Sequence, residues 1–177
     1  MIVKPRPLVS FTVFGTPQTR GSKRPIARNI RDKRTGKLRV IAQAVDSNPR
    51  SKDWMAAVSE QAARAMIVAD LECEIERPIF LAMTFVLIRP ASHFTKSGEL
   101  RISAPVYPRG RKDADKLGRP TQDAMQGQIF GNDNQVASCC SDKRFGRSEG
   151  ASIRVFIGPK DQREARLWLS EQRSGVA

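Results

Sequence analysis

The chain has 177 residues, a 40% apolar fraction and a formal net charge of +13, a size and composition that fit one domain able to bury an ordinary core. The charge is spread along the chain, so the folded surface is basic and a polyanion is its natural partner. The longest apolar run, Ile79 to Ile88, is too short for a membrane-spanning helix, and Met1-Ile2-Val3-Lys4-Pro5-Arg6-Pro7 lacks the apolar core of a secretory signal, so no membrane association and a cytoplasmic location are expected.

From the N-terminus, Leu8 to Phe14 alternates, with Val9, Phe11 and Val13 on one side and Ser10 and Thr12 on the other, as a half-buried strand does. After Gly15-Thr16-Pro17 comes a segment rich in Arg and Lys, from Arg20 to Arg39, broken by Gly21, Pro25 and Gly36. Basic loops with a hairpin at Thr35-Gly36 are expected there. Ser51 suits an N-cap, and Trp54, Val58, Ala62, Ala65 and Ala69 recur at helical spacing, predicting a helix to about Ala69. The run from Ile79 to Ile88 is apolar on both faces and predicts a central strand covered on both sides. Arg89 to Lys112 is polar and proline-interrupted, a substrate-side loop. A short helix ending near Gly127, strands at about 135–140 and 151–157, and an amphipathic helix at about 161–172 with Leu167 and Trp168 turned inward complete the reading. The fold class expected is α/β (α+β), a small mixed sheet flanked by helices.

Three cysteines, Cys73, Cys139 and Cys140, form neither a disulfide framework nor paired C-x-x-C clusters, and are read as reduced strand residues. His93, the only histidine, sits in a polar loop and reads as a surface residue and not a ligand. Trp54 and Trp168 read as core, leaving Phe94 and Tyr107 as the better base-stacking candidates.

The acids stand out against this basic background. Asp113 and Asp115 lie between Lys112 and Lys116, Asp123 follows, and Asn132-Asp133-Asn134-Gln135 comes next. In extended backbone Asp113 and Asp115 point to the same side, roughly 7 Å apart at Cα, close enough to approach one divalent cation. Asp133 would close the site from the next strand. Oxygen ligands of this kind suit Mg²⁺ or Mn²⁺, an ion that phosphodiester hydrolysis uses. The competing reading makes either aspartate a helix cap, although Pro120 implies a late helix start that leaves both in strand or turn geometry.

As a unit, the stretch from Lys112 to Gly127 resembles the signature of RusA-type Holliday-junction resolvases, approximately P-D-x-D-N/K-L-x-K/R-x-x-x-D-A-L-x-G. Asn132-Asp133-Asn134-Gln135-Val136 is similar to their second signature, D-D-x-Q-V, and Lys143 falls where the family has a lysine. Gly15-Thr16-Pro17 with the basic residues after it resembles the family's N-terminal G-x-P, so the likeness runs from about Phe11 to Ile157. It is most specific from Asp113 to Lys143.

The resemblance implies that Asp113, Asp115 and Asp133 hold Mg²⁺ or Mn²⁺, that Arg119 takes the place of a catalytically important lysine, and that Asp123 and Asn132 support the site. Lys112 replaces the usual proline, Lys116 an asparagine, Arg119 the lysine and Asn132 the first aspartate of the pair; none of these removes an implied metal ligand. Arg119 stays charged, so it stabilises charge and does not exchange a proton. Arg20, Lys23, Arg24, Arg109, Arg111, Lys112, Lys116 and Lys143 are the expected DNA contacts, positioning the backbone without reading sequence. The expectation is thus a homodimeric, metal-dependent endodeoxyribonuclease acting on branched DNA, without an organic cofactor. Its rivals are a flap- or fork-selective nuclease and a non-enzymatic nucleic-acid-binding protein whose aspartates only cap and solvate.

Overall fold

The computed structural model describes residues 7–20, 23–46, 48–74, 76–110 and 112–166. The alternating N-terminal segment forms strand β1 (Val9–Phe14), with Val9 and Val13 buried and Phe11 packed against the core. The basic stretch is not a set of loops. It forms the antiparallel hairpin β2 (Lys23–Arg31) and β3 (Leu38–Asp46), a separate two-stranded sheet. The turn falls where Thr35-Gly36 indicated: the Asp32 carboxylate accepts from the backbone N–H groups of Arg34 and Thr35, and Gly36 supplies the positive φ of +67°.

Helix α1 (Arg50–Val68) buries the predicted stripe of Trp54, Val58 and Ala62, with Met66 completing it. Ser51 does not cap it: the N-cap position is Pro49, and the buried Ser51 hydroxyl donates to the Asn48 carbonyl at 2.7 Å. Strand β4 (Ile79–Ile88) follows, then a loop containing one 3-10 turn at Ala91–His93. Helix α2 (Ala114–Met125) carries Pro120 inside it. The expectation of a late helix start therefore fails. Proline there forfeits the hydrogen bond to the carbonyl four residues back, but it lies on the buried face with Leu117, Thr121, Ala124 and Met125, whose packing favours the continuous helix.

Strands β5 (Val136–Gly146) and β6 (Gly150–Ile157) complete a mixed four-stranded sheet of order β1-β6-β4-β5, in which only β4 and β5 run parallel. The architecture is α+β. Both helices pack on one face of the sheet, over Ile79, Leu81, Met83 and Phe85 of β4 and Ala151, Ile153 and Val155 of β6. Phe80, Ala82, Thr84 and Val86 on the other face of β4 are only half-buried. The strand is interior to the sheet as expected, and among the described residues α1 and α2 cover one of its faces.

Cys139 and Cys140 are free residues of β5, whereas Cys73 lies in the connection between α1 and β4 and not in a strand. Of the C-terminal helix, residues 162–166 are helical, with Asp161 accepting from the N–H groups of Arg163 and Glu164. Leu167 and Trp168 lie outside the described residues. Among the described residues no helix is long and apolar enough to cross a membrane.

Candidate active site at the start of helix α2

The chain enters α2 from the proline-rich loop with Asp113 extended (φ −66°, ψ 143°) at the N-cap position and Asp115 in the first turn. They do not share extended geometry, so the strand-like spacing expected for them is replaced by one strand-like and one helical residue. Asp113 makes no side-chain capping hydrogen bond, which removes the reading that it is there to cap. Its carboxylate is bound instead by Lys116 Nζ at 2.7 Å. That hydrogen bond and the charge of Lys116, with a smaller contribution from Lys143, hold Asp113 below the ordinary carboxylate range. Asp115 is exposed at the positive end of the helix, where a carboxylate is favoured. Arg119, exposed one turn further on, shares its face.

The sign of the Lys116 effect gives a direct expectation. A partner that lowers a carboxyl pKa keeps the group ionised to lower pH, so Lys116→Met returns the Asp113 titration upward toward the unperturbed range. Carboxyl-carbon NMR over an acid titration reads the change; an unmoved midpoint would show that the pair does not form in solution.

Two lysines expected on DNA fix this entry. Lys112 Nζ donates to the Pro17 carbonyl at 2.9 Å, tying the loop to the Gly15-Thr16-Pro17 turn, and Lys143 Nζ donates to the Lys112 carbonyl at 2.8 Å. Both are half-buried. Arg20, a third expected contact, pairs with Asp123 and so joins the segment after that turn to the second half of α2. Asp123 supports the region through this ion pair. Lys23 and Arg24 lie on β2, paired in register with Asp46 and Val45. Arg109 is exposed and Lys116 is engaged with Asp113. Arg111 lies outside the described residues.

Asp133 is elsewhere. It begins a 3-10 turn (Asp133–Gln135) before β5, and Phe130, three residues earlier, bridges to Gln126 at the C-terminal end of α2. From there β5 runs back along α2 until Lys143 reaches Lys112, next to Asp113, and among the described residues no three of His, Cys, Asp or Glu are grouped to hold one metal ion. Asp113, Asp115 and Asp133 are thus not gathered into one ligand set among the described residues.

The segment around Asp133 has a structural logic of its own. Asn132 Oδ1 accepts from the Asn134 N–H at 3.0 Å, and Gln135 Oε1 accepts from the Asn132 N–H at 2.9 Å. Gln135 Nε2 also donates to the carbonyls of Glu74 and Arg77, anchoring the turn to the chain ahead of β4. Asn132 is thus a cap at this turn, and its oxygen is engaged there.

Sequence reasoning missed a cleft of ≈ 370 Å³ beside the aspartates, lined by His93, Phe145, Lys112 and Lys143 among others. Most of its lining comes from the Arg89 to Lys112 segment, expected as a substrate-side loop, but the walls at Leu87, Ile88, Lys143 and Phe145 come from strands that no local pattern joins to it. The model of one family, described as Endodeoxyribonuclease RusA, matches residues 18–156. No curated protein matches the chain.

Proposed function

The chain belongs to the RusA family of endodeoxyribonucleases, and from that premise we propose that it is a divalent-metal-dependent resolvase of four-way DNA junctions, with its reaction centre at Asp113 and Asp115. The observation that carries the reading is a pair of carboxylates at one helix start, neither spent on capping, set among Lys112, Lys116, Arg119 and Lys143. Two hard carboxylate donors with open sides fit Mg²⁺ or Mn²⁺, which retain waters and take a remaining ligand from a substrate phosphate. When bound, such an ion supplies Lewis-acid polarisation of the phosphate and a more acidic water.

The chain's own residues do the rest. Lys116 holds the Asp113 carboxylate in place by its ion pair, the Lys143–Lys112–Pro17 series of hydrogen bonds holds the entry to α2 in place, and Arg119 offsets charge that builds on the phosphate oxygens as the bond breaks. Arg109 and the basic hairpin engage neighbouring phosphates.

That Asp133 is not gathered with the pair among the described residues bears on oligomeric state. If Asp133 takes part from a second copy, a two-fold dimer would carry two composite sites matched to a two-fold junction, giving paired nicks. Mixed dimers test this. Asp113→Asn and Asp133→Asn are each inactive alone, but a mixed dimer keeps one site with both wild-type residues if sites are composite, so mixing restores single-strand nicking. Sites confined to one chain would leave every mixture inactive, and full activity of Asp133→Asn alone would remove that residue from the chemistry.

A further inference from the structure

The cleft beside Asp113 is bounded by the end of β4 (Leu87 and Ile88), the 3-10 turn at His93, and Phe145 of β5. Phe145 is held as a fixed aromatic surface: the Arg89 guanidinium lies 4.1 Å from its ring centroid, and His93 meets it edge-on at 5.6 Å and 89°. Arg89 is itself fastened to the Pro105 carbonyl at 2.8 Å, so the aromatic surface and the proline side of the cleft are locked together. His93 Nδ1 is buried and has no hydrogen-bond partner, a condition native proteins seldom leave unanswered. Sequence reading placed this histidine on the surface; it is half-buried and lines the cleft.

The cleft adjoins the reaction centre, because Lys112 lines it and immediately precedes Asp113. Its two lysine ammonium groups already donate to the carbonyls of Pro17 and Lys112, which leaves them less to offer a bare phosphate. Apolar walls from Leu87, Ile88 and the prolines, with a fixed aromatic ring among them, suit a planar heterocycle, and the volume lies at the small end of ligand pockets.

We infer that this cleft receives one unstacked nucleobase of the DNA strand whose phosphate sits at Asp113 and Asp115, with Phe145 and His93 as its specificity-determining residues. The inference rests on the endonuclease reading. It makes cleavage sensitive to base identity at one nucleotide beside the nick, while the cationic surface holds the backbone without regard to sequence. Arg109, exposed at the same cleft, is placed to hold that nucleotide's phosphate.

Four-way junctions carrying 2-aminopurine at successive nucleotides around the crossover, titrated with the full chain in chelator, test this without cleavage. The expected result is a fluorescence change confined to one nucleotide of the strand at each site. An abasic residue at that nucleotide weakens binding by roughly fivefold or more, as loss of one base stacked on an aromatic ring predicts. Phe145→Leu, which keeps apolar volume, and His93→Ala both abolish the difference between the intact and abasic junctions. If the junction binds but no 2-aminopurine position responds and abasic substitution is without effect, the cleft is not a base pocket. If no four-way junction binds at all, the resolvase reading falls first, and this inference with it.

Discussion

Asp115→Asn leaves the chain folded and bound to four-way DNA while lowering the cleavage rate by roughly 10²–10³-fold or more, the scale seen when one preorganised electrostatic group is removed from a reaction centre. The two effects separate because of where the residue stands. Asp115 is exposed in the first turn of α2, and among the described residues no hydrogen bond or ion pair holds its side chain. Losing its charge there costs about 0.3–1 kcal/mol of favourable interaction with the helix dipole. The same charge, on the proposed reading, is half of the donor set for the cation. Single-turnover cleavage and thermal unfolding of the variant measure the two effects side by side. Undiminished cutting would end the assignment of Asp115 as a metal ligand.

Phe85→Ala is the expected large stability defect. The ring is fully buried on the helix-covered face of β4, between Ala151 of β6 and Lys143 of β5 in register. Truncating a buried phenylalanine costs about 3–5 kcal/mol, a large part of the ~5–15 kcal/mol that holds an ordinary domain. Its neighbour Lys143 fixes the entry to α2, so the cavity also loosens the ground under Asp113. Phe80→Ala, on the half-buried face of the same strand, is expected to cost clearly less. Urea unfolding of both variants reads the difference, and equal losses would mean that both faces of β4 are covered in solution.

That contrast also marks what sequence could and could not convey. The apolar run of β4 carries no sign of which face receives the helices, because Phe80, Ala82 and Val86 are as apolar as the buried Leu81, Met83 and Phe85. The strands of the basic hairpin were hidden for a different reason: Arg, Lys and Pro make up most of β2, and β3, though largely apolar, follows it without a clean alternation of apolar and polar residues. Helix α1 and strands β1 and β6 were readable because their periodicity follows burial directly, and β4 because its unbroken apolar run marks an interior strand.

The aspartates were visible through their spacing and the family signature, but their geometry was not. Pro120 argued for a late helix start, and the buried face of α2 overruled it. That Asp133 is not gathered with Asp113 and Asp115 among the described residues depends on how strand and helix run back along each other, which no local pattern encodes. The cleft at His93 and Phe145 combines residues from the loop after β4 and from β5, so a lone histidine in a polar loop gave no sign of it.

The most direct test of the central claim is a gel assay of end-labelled four-way junction against matched linear duplex, with Mg²⁺, with Mn²⁺ and with chelator. Paired, symmetric nicks in the junction alone, dependent on the added metal, are the predicted result. Binding of the junction without cleavage under every metal condition would contradict it and leave a non-catalytic DNA-binding protein.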